Sequence, residues 1–178
     1  MNSIDAQTTD AKFDDLAGKE AREKIRELAK KAGVCFFCTN IRSGQAFSVR
    51  PMGQEEIDEN GHLWFLSASD SHKNAELEAD PATQLLFQGG DYTPFMTLYG
   101  HTRISTDRSR IEALWDATMK NWFTGGKDDP RITVLEFVPT EGYYWDTQNG
   151  SLVAFAKIAF GALTGQTSDD SVQGSLAP

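Results

Sequence analysis

Cys35-Phe-Phe-Cys38 has the two-residue spacing of a redox or metal-binding pair. Both thiols lie in an apolar run, Val34–Thr39, that reads as a buried strand. An offset of three puts them on opposite faces. Their Cα atoms would then stand about 10 Å apart, beyond the ~7 Å reach of a disulfide. The pair therefore reads as two buried structural thiols. His62, His72 and His101 fall in no metal-ligand spacing, and hydrogen-bonding or surface roles are expected for them. The chain carries no Gly-x-Ser-x-Gly, no P-loop and no Gly-x-Gly-x-x-Gly, so nucleophilic and dinucleotide-binding readings lack support.

A contrast of charge is more informative. Lys73 is the only Lys or Arg between Arg50 and Arg103, an interval that holds nine Asp and Glu. It follows Ser67-Ala-Ser-Asp-Ser-His at what reads as a helix start. Hydroxyls, N–H groups at a helix N-terminus and an ammonium together make an anion site, and a phosphate suits it. Arg50 stands in an alternating strand, Ser48-Val-Arg-Pro-Met52. The bland alternative is a solvated Lys73 and a surface ion pair at Arg50.

These residues need elements to hold them. Leu16, Ala21, Ile25, Leu28 and Ala29 recur at helical spacing, so a helix is expected over 14–32, closed at Ala32-Gly33. Strands are expected over Val34–Thr39, Gln45–Met52, His62–Ser67, Thr83–Gln88, Thr97–Ser105, Arg131–Val138 and Gly142–Trp145. Along the fifth of these, Met96, Leu98, Gly100, Thr102 and Ile104 share a face. Ser71–Ala79 and Arg108–Met119 read as helices, and Ser151–Phe160 as a final short one. Residues 1–13 read as a disordered arm and 162–178, without aromatic or basic residues, as a disordered tail, leaving 14–161 as the domain. Tight turns such as Asn60-Gly61 favour antiparallel pairing. Strands do not alternate regularly with helices, which disfavours a doubly wound parallel sheet. The expected fold is mainly β (α+β): a closed or partly closed antiparallel barrel with flanking helices.

The chain has 178 residues, 39% hydrophobic and 24% charged, which suits one soluble domain. Two cysteines cannot build a disulfide framework, so a reducing cytoplasm is the expected compartment. A net charge of −9 argues against nucleic acid and against an anionic membrane surface as partners. Residues 1–30 contain no apolar signal core. The longest apolar stretch, Leu152–Phe160, is broken by Lys157 and falls short of the ~20 residues that span a bilayer.

Several short motifs then occur in a telling order. They are Gln45–Met52 with its Arg-Pro-Met, Gly61-His-Leu-Trp-Phe-Leu-Ser67, Ser71-x-Lys73 and Leu114-Trp115. Asn121-Trp-Phe-Thr-Gly-Gly126, Asp129-Pro130 and Tyr143-Tyr-Trp-Asp146 follow. In order and spacing the chain resembles the general stress protein 26-like members of the pyridoxamine 5′-phosphate oxidase-like superfamily, over about residues 18–148. The resemblance implies a six-stranded antiparallel split β-barrel that binds FMN and forms a homodimer with flavin at the subunit interface. It implies that Arg50 approaches the flavin phosphate and that the strand backbone through Pro51 and Met52 lines the ring. Trp64, Phe65, Leu66 and Ser67 match a family strand in which Ser67 replaces the usual Thr. Ser71 and Lys73 match a phosphate clamp, and Trp122 and Trp145 match aromatics that reach a neighbouring subunit's cofactor or pack in the core. Thr124 stands where many relatives carry Pro, and the Arg-rich substrate signature of true pyridoxamine phosphate oxidases is missing, which argues against vitamin B6 oxidation. The implied function is a flavin-dependent oxidoreductase, with a nicotinamide cofactor as a candidate electron donor. A non-enzymatic flavin carrier or sensor is the rival, and a barrel holding deazaflavin or haem is a third reading.

Overall fold

Six strands, all paired antiparallel, make the frame that positions the conspicuous residues. The computed structural model describes residues 12–89, 94–147 and 171–178. In chain order the elements are β1 (Lys12–Phe13), β2 (Leu16–Ala17), α1 (Gly18–Ala32), β3 (Val34–Thr39), β4 (Ser48–Gly53), β5 (Glu56–Ile57) and β6 (Leu63–Ala68). They continue with α2 (His72–Ala79), β7 (Ala82–Gln88), β8 (Phe95–Ser105), α3 (Arg108–Leu114), β9 (Ile132–Thr147) and β10 (Ser171–Ala177). The frame runs β4-β3-β7-β8-β9-β6. β4 and β6 bound it at its two ends and do not pair with each other. The barrel is therefore split along the β4–β6 seam, as the expected mainly β, split-barrel fold requires. Pro51 sits on β4, whose only partner among the described residues is β3. A proline cannot donate to a ladder, and its place on an edge strand keeps this seam unpaired.

Alternation along the strands fills the barrel. Phe37 on β3 and Phe65 on β6 are fully buried and meet edge to face, with ring centroids 5.3 Å apart. Leu85, Leu98, Leu135 and Phe137 join them from β7, β8 and β9. Met96, Leu98 and Thr102 are buried on the shared face expected for β8. α1 closes one end of this core with Ala21, Ile25, Leu28 and Ala29. Gly33 stops α1 in a left-handed conformation (φ 71°), its N–H donating to the Ala29 carbonyl. A second cluster lies outside the barrel, where Leu66 of β6 and Ile132 and Val134 of β9 pack against Ile111 and Leu114 of α3 and against Phe123.

Four expectations are corrected. The helix expected over Arg108–Met119 stops at Leu114, because Asp116 caps a new 3₁₀ turn, Ala117–Asn121, by accepting from the Thr118 N–H at 2.9 Å. The two strands expected over Arg131–Val138 and Gly142–Trp145 are one strand, β9. Their apparent break is a bulge opposite Tyr99 and Gly100. A side chain at Gly100 would place a Cβ 2.1 Å from the Val138 carbonyl oxygen, so only glycine fits there. The expected disorder of the tail does not hold over Ser171–Ala177, which is β10 and pairs antiparallel with the far half of β9. Leu176 carries β10 into the core. β1 and β2 run parallel to β10, so Lys12–Phe13 is a strand as well. The helix expected over Ser151–Phe160 lies outside the described residues. Among the described residues no helix is long and apolar enough to cross a membrane.

Candidate functional site

The split opens a cleft of about 360 Å³. Pro51, Met52, Gly53 and Glu55 line it from β4 and the link to β5, and Leu66, Ser67 and Ala68 from β6. Ser71 and Lys73 enter from the start of α2, and Met119, Trp122 and Phe123 from the segment after α3.

The α2 end is fixed by a buried polar network. Asn74 is 1% exposed and touches all three neighbouring elements. Its amide donates to Thr133 Oγ1 on β9 at 2.9 Å, and its carbonyl accepts from Ser67 Oγ on β6 at 2.6 Å. Thr133 Oγ1 donates in turn to the Ser67 carbonyl at 3.0 Å. Ser71 is the N-cap of α2, accepting from the Asn74 N–H at 3.2 Å and donating to the Asn74 side chain at 3.1 Å. The result is a helix N-terminus aimed at the cleft, with its first N–H groups lacking intrahelical partners.

Lys73 follows directly. It is half-buried, and among the described residues its ammonium has no hydrogen bond or ion pair. Burial, and then the neighbouring Arg50 guanidinium, push its pKa down to about 8. Arg50 itself is engaged elsewhere. It donates to Glu76 Oε2 at 2.7 Å and to Thr39 Oγ1 at 2.8 Å. Glu76 also accepts from Thr39 and from Ser48, the latter at 2.8 Å. Burial pushes the Glu76 carboxyl up, and bonds from Thr39, Arg50 and Ser48 outweigh it, leaving Glu76 below the usual carboxylate range.

Of the eleven residues that the sequence singles out, seven line the cleft: Pro51, Met52, Leu66, Ser67, Ser71, Lys73 and Trp122. Four do not. Arg50 lies beside it in the Glu76 network. Trp64 packs outside the barrel, its indole N–H donating to Asp58 at 3.2 Å and its ring lying under Arg110 at 3.9 Å. Phe65 is in the core. Trp145 is 45% exposed near the far end of β9, about 40 Å of strand from Thr133. The residues that sequence reasoning missed are Gly53, Glu55, Ala68, Met119 and Phe123 in the lining, and Glu76 and Asn74 behind it. Burial, and then the Asp116 carboxylate, hold Glu55 above the usual carboxylate range.

The remaining candidates take structural places. Cys35 and Cys38 are buried and unbridged, and burial pushes the Cys35 thiol up to about 12. His62 meets Glu136 at 2.8 Å. Among the described residues no group of three ligands stands ready for a metal ion.

The split-barrel fold is one that known proteins share. The family model for pyridoxamine 5′-phosphate oxidase-like proteins matches residues 20–169. The chain belongs to that family. It is 29% identical to general stress protein 26 of Bacillus subtilis over 79 residues, which is 42% of this chain and 55% of that one. Protein bli-3 of Neurospora crassa is 24% identical over 112 residues, 58% of this chain and 54% of that one. The chain thus spans about half the length of the curated relatives it matches. In three dimensions it is similar to a candidate general stress protein 26 from Jannaschia sp., with a TM-score of 0.71, 24% identity, and coverage of 88% of this chain and 99% of that one. It is also similar to a pyridoxamine 5′-phosphate oxidase-related, FMN binding protein from Nostoc punctiforme, with a TM-score of 0.55, 14% identity, and coverage of 71% and 80%. At these identities the structural likeness speaks for the fold.

Proposed function

We propose that the protein is an FMN-binding flavoprotein of the general stress response, a cytoplasmic homodimer and a flavin-dependent oxidoreductase. One observation carries the flavin reading: Lys73 is a half-buried cation in a cleft, beside a second cation and, among the described residues, without an anion of its own. Such an arrangement is unfavourable until an anion arrives. A phosphate at the Ser71 end of α2 would meet the ammonium and the free helix N–H groups. Pro51, Met52 and Gly53 on one side, and Trp122 and Phe123 on another, offer walls to a flat ring. These residues fit FMN, and the similarity to the FMN binding protein of Nostoc punctiforme supports the reading. A bound flavin supplies hydride and single-electron chemistry. The chain's part is to hold the phosphate with Lys73 and Ser71, to orient the ring against β4, and to exclude water with Trp122 and Phe123.

The dimer rests on a separate feature. Val34 and Phe36 of β3, Val49 of β4, Phe95 and Tyr99 of β8 and Trp145 of β9 are large apolar side chains left exposed on the outer sheet surface. Strand register places Pro51, Phe36, Leu86, Thr97 and Tyr143 in one row across it. An exposed apolar face of this kind supports an interface. A second copy is the occupant that fits, because Pro51 borders both this face and the cleft. A copy seated there would cover the cleft's open side, and its Trp145 would reach a flavin that this chain's own Trp145 cannot.

Purified protein tests the proposal: it should be yellow and release FMN on heating, and light scattering should give twice the mass of the chain. A colourless preparation that takes up no added FMN would overturn the flavin reading. A clean monomer that binds FMN tightly would overturn the interface site. Reduction of the bound flavin by a nicotinamide cofactor, with multiple turnovers on an added acceptor, separates the oxidoreductase from a carrier or sensor.

A further inference from the structure

We infer that the cleft contains a second charged subsite, formed by Glu55 and the aromatic residues of the same lining, that takes a flat organic cation such as a nitrogen heterocycle with a fixed positive charge. The inference rests on the flavin reading and deepens it, since it names the class of ligand that would lie against the bound cofactor.

Among the described residues, two ionisable side chains line the cleft, Lys73 and Glu55. They do not form an ion pair with each other, and among the described residues neither charged group has a hydrogen bond or a salt bridge. A flavin phosphate accounts for Lys73. It leaves the Glu55 charge without a counter-charge, because flavin carries no cationic group. The neighbouring residue makes the contrast sharp. Glu56 has its own base, Arg110, at 3.0 Å. Arg110 is also held over the Trp64 ring at 3.9 Å, so it is not free to serve Glu55. The backbone N–H of Glu55 donates to the Trp64 carbonyl at 2.8 Å, which fixes the point from which its side chain enters the cleft.

The surroundings agree with a cationic guest. Asp116 adds a second negative charge near Glu55, and among the described residues neither carboxylate has an ion pair with a base. Met119, Trp122 and Phe123 make the wall of the same cleft. A ring face and a thioether attract a flat cation, and a carboxylate beside them fixes its charge. A neutral ligand of the same shape would gain the stacking but not the charge.

The test uses 1-methylnicotinamide, a flat cation, and nicotinamide, its neutral counterpart, as probes. Each is titrated into FMN-loaded wild type, Glu55→Gln and Glu55→Asp, with flavin fluorescence as the readout. The same titrations on flavin-free protein are read by tryptophan fluorescence. The cation should bind roughly tenfold more tightly than the neutral probe to wild type and to Glu55→Asp. Glu55→Gln should bind the two alike. Equal affinities in wild type, or a preference that survives in Glu55→Gln, would overturn the inference and leave the flavin reading standing. A protein that takes no FMN but prefers the cation in the flavin-free titration would sustain the inference and overturn the flavin reading. Should Glu55→Gln fail to fold, added salt replaces it. Weakening of the cation alone supports the subsite, and equal weakening of both probes overturns it.

Discussion

Arg50 and Lys73 lie close enough to feel each other's charge, yet the protein surrounds them in opposite ways. Arg50 sits in a closed network with Glu76, Thr39 and Ser48, which ties α2 to β3 and β4. Lys73, three residues before Glu76 on the same helix, faces the cleft without a counter-charge among the described residues. A satisfied network is the signature of a group that holds the fold together. An unsatisfied half-buried charge detracts from the fold and makes sense when a ligand completes it. Glu55 in the same cleft is the same case with the opposite sign.

The largest expected effect is on the Arg50 side. Glu76→Ala strips the network of its acceptor and leaves Arg50 beside Lys73 uncompensated, so urea unfolding should show a loss of about 2–3 kcal/mol. The gap should also depend on acid. A carboxyl held low in the fold contributes stability above its unfolded value, about 4.5, and loses it as pH falls through the lower folded value. Wild type and Glu76→Ala should therefore converge in acid. A gap that persists unchanged well below pH 4 would mean that Glu76 acts through packing.

On the Lys73 side the sign reverses. Lys73→Met removes an unpaired cation, so the flavin-free variant should be more stable than wild type near pH 7, by on the order of 1 kcal/mol. The folded chain loses the Lys73 proton near pH 8, while the unfolded chain keeps it to about 10.5. In that window the unfolded state binds more protons, and wild-type stability rises with pH. The advantage of the variant should shrink between those values, and unfolding curves at several pH values would reveal it. A smaller effect is expected at Trp122, which is largely exposed. Trp122→Ala should change stability by no more than about 0.5 kcal/mol, while lowering FMN and riboflavin affinity alike. Loss of FMN binding alone would place Trp122 at the phosphate rather than at the ring.

Much of this was legible in the chain itself. Val34–Thr39 is a strand over the expected residues, because its apolar run is short and bounded by turn residues. Lys73 stood out because it is a lone base among nine acids. The same abundance hid Glu55 and Glu76, since an acid among many carries no signal until its neighbours are known. The Arg50 network joins residues from β3, β4 and α2, and no local spacing announces it. β10 escaped because its seven residues hold no aromatic and only two branched apolar side chains, and pairing with β9 supplies the order that local propensity does not. The β9 bulge read as a break, because Pro139 looks like the end of a strand until the pairing with β8 is seen to continue past it.

Isothermal titration of FMN and of riboflavin into flavin-free wild type and Lys73→Ala tests the central claim most directly. The two ligands differ only in the phosphate, so the comparison isolates the group that Lys73 is held to bind. Losing a charge-assisted hydrogen bond worth about 1.5–3 kcal/mol should weaken FMN binding about 10- to 150-fold and leave riboflavin nearly unchanged. Wild-type affinity for FMN should also decline above about pH 8, where Lys73 gives up its charge, with no matching decline for riboflavin. Equal losses for both ligands in Lys73→Ala, or no loss for either, would contradict the account.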